Sequence, residues 1–221
     1  AGMYVSVNAA TSADGKLSSR RREQIAISGD EDFARVDRLR AEADAVAVGV
    51  GTVLADDPSL VRHDESHRAS LRGEDASPPA RVVVDSTCRT PANAAILACK
   101  PETYVLASEA APDTRRAAVE DAGGTPVVAG EERVDLSGAL DGLESVGIER
   151  LLVEGGGEVI FSLFEAGLVD ELTVYVGATV IGGRDAPTLA DGEGFVSEFP
   201  ELALETVERL DSGVVLEWDV L

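Results

Sequence analysis

Twice in this chain a short apolar run breaks off into glycines with acids beside them. Ala45-Val46-Ala47-Val48 ends at Gly49-Val50-Gly51, and Thr52 and Asp56-Asp57-Pro58 follow before Leu60. Leu151-Leu152-Val153 ends at Glu154-Gly155-Gly156-Gly157-Glu158. A compact apolar run bounded by glycine reads as a buried strand feeding a turn and a polar loop. In an α/β sheet such turns lie at the carboxyl edge, where ligands bind. Two of them beside carboxylates predict a site for a phosphorylated small molecule.

The remaining pattern agrees with an α/β class. Tyr4 to Ala10 alternates like a central strand, and Thr11-Ser12-Ala13-Asp14-Gly15-Lys16 breaks it with an Asp-Gly turn signal. Ser28-Gly29-Asp30-Glu31 predicts a capping box, with Phe33, Val36, Leu39 and Ala43 at helical spacing behind it. Residues 62–79 are polar and without period, which predicts a loop. Strands are expected at Arg81–Asp85, Thr103–Ala107, Pro126–Ala129 and Arg150–Val153. Helices are expected at Asp113–Ala122, at Ser137–Val146 and along Val159, Ile160, Leu163 and Phe164. From Glu171 the character changes. Leu172–Val176, Ala203–Leu210 and Val214–Val220 read as strands, the last two joined by the hairpin signal Asp211-Ser212-Gly213. The expectation is a mostly parallel central sheet with helices on both faces and an antiparallel C-terminal hairpin. With no repeat and no linker, residues 1–221 read as a single domain, Ala1-Gly2 being a remnant ahead of Met3.

Charge narrows the partners. The formal net charge is −22, and Lys16 and Lys100 are the only lysines. Such an acidic, lysine-poor surface suits a cytoplasm of molar salt, where screening removes self-repulsion; an ordinary acidic protein is the alternative. No basic stripe is present to neutralise a nucleic-acid backbone. The sequence shows no apolar run long enough to span a membrane and no signal peptide, so a cytoplasmic protein is expected. Cys88 and Cys99 form no disulfide framework and read as inert thiols. His63 and His67 stand four apart, but in a polar, arginine-rich segment they read as a surface pair. No metal is suggested.

The glycine junctions carry the chemistry. Gly49-Val50-Gly51 is no dinucleotide fingerprint, because Leu54 stands where a third glycine belongs. Gly155-Gly156-Gly157 ahead of a helix lets a backbone approach a pyrophosphate at a positive dipole end; a tight strand-to-helix turn is the structural alternative. No Gly-Lys-Ser/Thr follows, so a P-loop is excluded. An acidic protein that binds an anion must reverse its field locally, and Arg40, Arg62 and Arg89 stand near the junctions to do so. Asp56 and Glu154 are the acids placed to handle a proton, whereas Asp57-Pro58 reads as a turn. Thr52 suits either a hydrogen bond to a cofactor or a helix cap.

Taken in order, Asp14-Gly15-Lys16, Thr52-Val53-Leu54-Ala55-Asp56-Asp57-Pro58, Val84-Asp85-Ser86 and Leu152-Val153-Glu154-Gly155-Gly156-Gly157 resemble the riboflavin-biosynthesis reductases, whose fold is that of dihydrofolate reductase. The resemblance runs from Tyr4 to about Leu189. It implies NADPH-dependent reduction of a phosphorylated ribosylaminopyrimidine to the ribitylamino compound. No His-x-Glu or Pro-Cys-x-x-Cys of a zinc deaminase is present. The chain is therefore similar to the stand-alone archaeal and fungal type, acting on 2,5-diamino-6-(ribosylamino)-4(3H)-pyrimidinone 5′-phosphate. By the same resemblance Thr52, Asp56, Val84, Ser86, Arg89, Gly155, Gly156, Gly157 and Glu158 contact NADPH. Arg89 with Ser86 suits the 2′-phosphate. Arg40, Leu60 and Arg62 match substrate-holding positions, Asp56 is the proton handler and Glu154 the fallback. A homodimer is implied. The alternatives are a related reductase of the deaminated pyrimidine or of a pterin, a non-catalytic NADPH-binding protein, and a plain structural domain.

Overall fold

A run such as Ala-Val-Ala-Val persists as a strand when both of its faces are covered. In the computed structural model of the chain, Ala45–Gly49 is buried at every residue. The structure describes residues 2–23, 25–98 and 100–221; Ala1 and Cys99, both named above, lie outside them. In chain order the elements are β1 (Tyr4–Thr11), α1 (Asp30–Glu42), β2 (Ala45–Gly49), α2 (Val50–Asp56), α3 (Glu65–Arg72) and β3 (Ala80–Val84). Then come β4 (Thr103–Ala107), α4 (Asp113–Asp121), β5 (Gly124–Val128), α5 (Leu136–Ser145), β6 (Arg150–Val153) and α6 (Gly157–Glu165). β7 (Glu171–Val176), β8 (Leu202–Leu210) and β9 (Gly213–Val220) follow, and a 3-10 turn, Ala95–Leu97, lies between β3 and β4. Among the described residues no helix is long and apolar enough to cross a membrane.

The chain forms two compact units, one of Arg38–Leu152 with the N-terminal residues through Tyr4, the other of Val5–Asp37 with Val153–Leu221. In the first the strands run β5-β4-β3-β2-β6. β2 with β3, β3 with β4 and β4 with β5 pair in parallel. Gly49 lies beside Val84, and Val84 beside Leu106, so three strands end at one level and share a carboxyl edge. Val48, Val83 and Val105 pack with Val50 and Val53 of α2 and with Ile96 and Leu97. Each such aliphatic side chain contributes roughly 1.5–3 kcal/mol on burial. Leu136, Ala139, Leu140 and Leu143 are the buried residues of α5, at the spacing of one helical face.

Two expectations fail in this unit. Residues 62–79 are not all loop, because α3 occupies Glu65–Arg72. Asp64 caps it, its carboxylate accepting from the His67 N–H at 2.8 Å, and Gly73 ends it at φ 94°. The side chain that α3 buries is Arg68, whose guanidinium donates to the carbonyls of Ser77, Ala41 and Ala43. A helix whose inward anchor is an arginine shows no apolar period. The residues after Gly49 also differ from expectation. They form the helix α2, capped at Gly49, with Val50 and Val53 turned inward.

In the second unit the order is β1-β7-β9-β8. β1 and β7 are parallel, whereas β7/β9 and β8/β9 are antiparallel, as the terminal pattern predicts. An irregularity between Leu204 and Thr206 shifts the register. Leu202, Leu204 and Val207 are therefore paired with Val220, Trp218 and Leu216 and share one face with them. The capping box expected at Ser28 is replaced by a distant one. The Asp211 carboxylate accepts from the N–H groups of Gly29, Glu31 and Asp32 at 2.9–3.1 Å. Glu31 returns the bond, accepting from the Asp211 N–H at 2.7 Å. Phe33, expected inside, is 45% exposed, while Asp32 is buried against Arg35. Arg35 also donates to Asn8 Oδ1 at 2.8 Å. The Asp14-Gly15 turn forms as read, with Gly15 at φ 81°. Asp14 accepts from Ser12 Oγ and from the N–H groups of Ile181 and Gly182, which hold its carboxyl down to about 2.

Candidate active site

At the carboxyl edge of the first unit, β2 passes directly into α2. Thr52 and Asp56 are four residues apart on this helix and so share a face. Thr52 is half-buried inside the helix rather than at its cap, which leaves its hydroxyl for the side it faces. Asp56 is exposed in the last turn, yet the protein beside it removes part of its hydration and raises its carboxyl above the ordinary value. A carboxyl held protonated to higher pH is suited to donate a proton. Gly51, one turn nearer the strand, has an ordinary φ, and a Cβ built on it would meet nothing within 4 Å. No neighbour of this chain requires glycine there.

The helix stops at Asp57, the first of two left-handed residues: φ is 44° at Asp57 and 52° at Leu60. Each such non-glycine conformation costs about 1–2 kcal/mol, so the turn has to be held. Asp57 Oδ1 accepts from the Ala95 N–H at 2.8 Å. The Ser59 carbonyl accepts from Arg81 at 3.2 Å. Leu60 is half-buried and packs against two apolar clusters, one that includes Val48 and Val53 and one that includes Ala43 and Leu152. Arg40, in the last turn of α1, donates to the Arg62 carbonyl at 3.1 Å. Arg40, Leu60 and Arg62 are thus brought together. The Arg40 guanidinium is thereby tied to the main chain of the segment that carries Arg62.

Beyond β3 the chain turns tightly. Val84 is half-buried at the strand end, and Asp85 is buried, its Oδ2 accepting from the N–H and Oγ1 of Thr90, both at 2.7 Å. This closes the loop Ser86–Thr90 on itself and sets Arg89 out at its exposed tip. Ser86 anchors two neighbours. Its carbonyl accepts from the Ser108 N–H and Oγ, and its hydroxyl accepts from the Val134 N–H at 3.1 Å. Cys88 is buried, and burial first, then the nearby Asp85, pushes its thiol up.

In the second unit, Glu154 is half-buried just after β6 and leads into the glycines. Gly155 has φ 138°, the Gly155–Gly156 peptide is cis, Gly156 caps α6, and Gly157 is its first residue. Gly155 is needed for its backbone conformation. Gly157 is needed for a reason the sequence does not reveal: a Cβ there would lie 2.5 Å from both Asp191 Oδ2 and the Thr188 carbonyl. Glu158 is exposed in the first turn of α6, whose leading N–H groups supply the positive dipole end expected of an anion cradle. Of the two histidines, His67 is on α3 and meets Glu42 Oε1 at 2.9 Å, whereas His63 precedes the helix. Among the described residues no three His, Cys, Asp or Glu side chains stand together as a metal site. The roles of Asp85, Thr90, Ser108 and Arg81 are missed in the sequence. Arg81 and Ser108 are polar anchors whose partners are distant in the chain, whereas Asp85 and Thr90 close a loop of their own five residues apart.

The profile of the RibD C-terminal domain family matches residues 3–216. An Archaeoglobus fulgidus protein named 2,5-diamino-6-ribosylamino-4(3H)-pyrimidinone 5′-phosphate reductase is 47% identical over 95% of this chain and 94% of its own length. A Methanothermobacter thermautotrophicus protein of the same name is 42% identical over 98% of both. Among solved structures, a pyrimidine reductase-like protein of Corynebacterium diphtheriae superposes with a TM-score of 0.80 at 20% identity, covering 99% of this chain and 92% of that one, and shares the fold.

Proposed function

The chain belongs to the RibD C-terminal domain family, and from that premise we propose that it reduces 2,5-diamino-6-(ribosylamino)-4(3H)-pyrimidinone 5′-phosphate to the ribitylamino compound with NADPH. The observation that carries the reading is the likeness, over nearly all of both chains, to two reductases named for that substrate. It is an oxidoreductase of riboflavin biosynthesis that uses a nicotinamide cofactor. The choice of NADPH, the residue roles and the assembly are our reading.

The residues present fit such a cofactor. Open space over Gly51 leaves room for a ligand against the first turn of α2, where Thr52 and Asp56 share a face. We assign Thr52, Asp56 and Val84 in the first unit to cofactor contacts, and Ser86 with Arg89 to the 2′-phosphate that distinguishes NADPH from NADH. Ser86 holds the Val134 N–H as an acceptor, which leaves its hydroxyl proton for a phosphate oxygen. In the second unit we assign the Gly155-Gly156-Gly157-Glu158 turn to the cofactor's phosphates, through backbone N–H groups. Arg40 and Arg62 hold the substrate's 5′-phosphate, and Leu60 packs beside it.

When bound, a nicotinamide cofactor would supply the hydride for C1′ of the opened ribosylamine. Opening requires a proton on the ring oxygen, and Asp56, with its raised carboxyl, is the group we assign to deliver it. Glu154 is the fallback. Orientation of the two reactants by the arginines and the glycine turns contributes much of the remaining acceleration.

We read the assembly as a homodimer. Leu204 and Val207 are 54% and 61% exposed on a sheet face shared with Trp218 and Leu216, an apolar surface that a second copy would cover. We read the acidic surface as adaptation to a salt-rich archaeal cytoplasm, with neither nucleic acid nor membrane as partner.

The test is NADPH oxidation, followed by absorbance in molar salt, with the diamino substrate and its deaminated counterpart. Faster turnover of the diamino compound is expected. Preference for the deaminated compound would move the enzyme to the other order of reactions, and NADPH binding without turnover of either would refute the substrate assignment.

A further inference from the structure

Arg81 is fully buried on β3, a strand otherwise made of alanine and valine. Among the described residues its guanidinium donates to carbonyls of two segments: Ser59 at 3.2 Å in one, and Ala98 at 3.5 Å with Pro101 at 2.5 Å in the other. A charge this deep is costly to desolvate, and an apolar side chain of similar volume would fill the same space at less cost. What the arginine adds is a fixed fork of donors. One of its prongs reaches the middle of the turn that carries Leu60 and Arg62. The same turn is fastened at its start, where Asp57 Oδ1 accepts from the Ala95 N–H. Ala95 opens the 3-10 turn that continues toward Ala98, so both fastenings lead into the segment between β3 and β4. The turn's two left-handed residues are Asp57, at the first fastening, and Leu60, directly after the second.

We propose that Arg81 and Asp57 are positioning residues for substrate: together they lock the Asp57–Arg62 turn in the conformation that presents Leu60 and Arg62 to the phosphorylated substrate. This inference rests on the reading of Leu60 and Arg62 as substrate contacts. Neither positioning residue touches the substrate, and both act through the backbone of the turn. Thr52 and Asp56, assigned to the cofactor, lie within α2 ahead of the turn, so the helix rather than the turn sets their places.

The experiment compares steady-state kinetics of Arg81→Lys, Arg81→Met, Asp57→Gly, Asp57→Asn and Arg62→Ala, with KM for substrate and for NADPH measured separately. Asp57→Gly removes the carboxylate while keeping the left-handed conformation available, and Asp57→Asn keeps an acceptor oxygen as the rescue control. Arg81→Met and Asp57→Gly are expected to raise KM for substrate at least about tenfold, as misplacement by about an ångström does. KM for NADPH should stay within about twofold of the parent. Arg81→Lys and Asp57→Asn should recover part of the loss. Should Arg81→Met fail to fold, Arg81→Lys and the Asp57 pair decide the matter. A raised KM in Arg62→Ala alone, with the Arg81 and Asp57 variants only lowering the melting temperature, would overturn the inference and leave the substrate reading intact. An unchanged KM in Arg62→Ala would overturn the substrate reading and the inference with it.

Discussion

Gly51→Ala separates what this chain needs for itself from what it keeps for a ligand. Gly51 is in the first turn of α2 with an ordinary φ, and an added Cβ meets nothing within 4 Å. Alanine should therefore be better for the fold. The gain from removing glycine's backbone entropy in a helix is about 0.5–1 kcal/mol. For a chain of this size that raises the melting temperature by about 1–4 °C. The same methyl would project into the space we assign to the cofactor. A close ligand contact displaced by a methyl group should cost at least about tenfold in affinity, or roughly 1.4 kcal/mol. The assay is a thermal melt without ligand beside a titration of NADPH oxidation. Opposite signs are expected, a higher melting temperature and a higher KM for NADPH. A variant that gains stability and keeps its KM would refute the placement of the cofactor over α2.

Three further outcomes follow from the geometry. Asp56 has a raised carboxyl, so its proton is present at low pH and lost as pH rises through that value; kcat should fall across the same interval, and Asp56→Asn should be slow and flat there. A limb that survives in Asp56→Asn would assign the proton to another group, Glu154 first. Gly157→Ala forces a methyl to 2.5 Å from Asp191 and Thr188 and should destabilise by about 1–3 kcal/mol, read as a lowered melting temperature; an unchanged melt would show that the 188–191 turn gives way freely. Val207→Glu with Leu204→Glu should leave the circular dichroism spectrum intact while shifting sedimentation to that of a monomer, and a persistent dimer would place the contact elsewhere.

Strands were readable where burial on both faces made the sequence continuous in apolar residues, as in Val46-Ala47-Val48 and Leu151-Leu152-Val153. The antiparallel end was readable because Asp211-Ser212-Gly213 separates two alternating runs. Helices hid where their inward anchor was polar or their start was glycine. Arg68 in α3 supplies no hydrophobic period, and Gly49 and Gly51 disguise the first turn of α2 as a loop. The candidate site was legible at its tips. Thr52, Asp56, Arg40 and Arg62 belong to short local patterns, and the structure brings Arg40 and Arg62 into contact. What holds those tips was not legible, because Arg81 and Ser108 act through carbonyls in segments that no local spacing connects.

The reciprocal cap between Glu31 and Asp211 spans 180 residues. A ribosome delivers Glu31 long before Asp211, so the N–H groups at the start of α1 wait, bonded only to water, until the β8–β9 hairpin is made. Helix formation near the beginning of the chain and strand pairing at its end thereby become one late event. A chain shortened by its last hairpin would lose more than an edge of sheet. It would also release the entry to α1, and with it the Asp32–Arg35–Asn8 cluster that fastens that helix to the first strand.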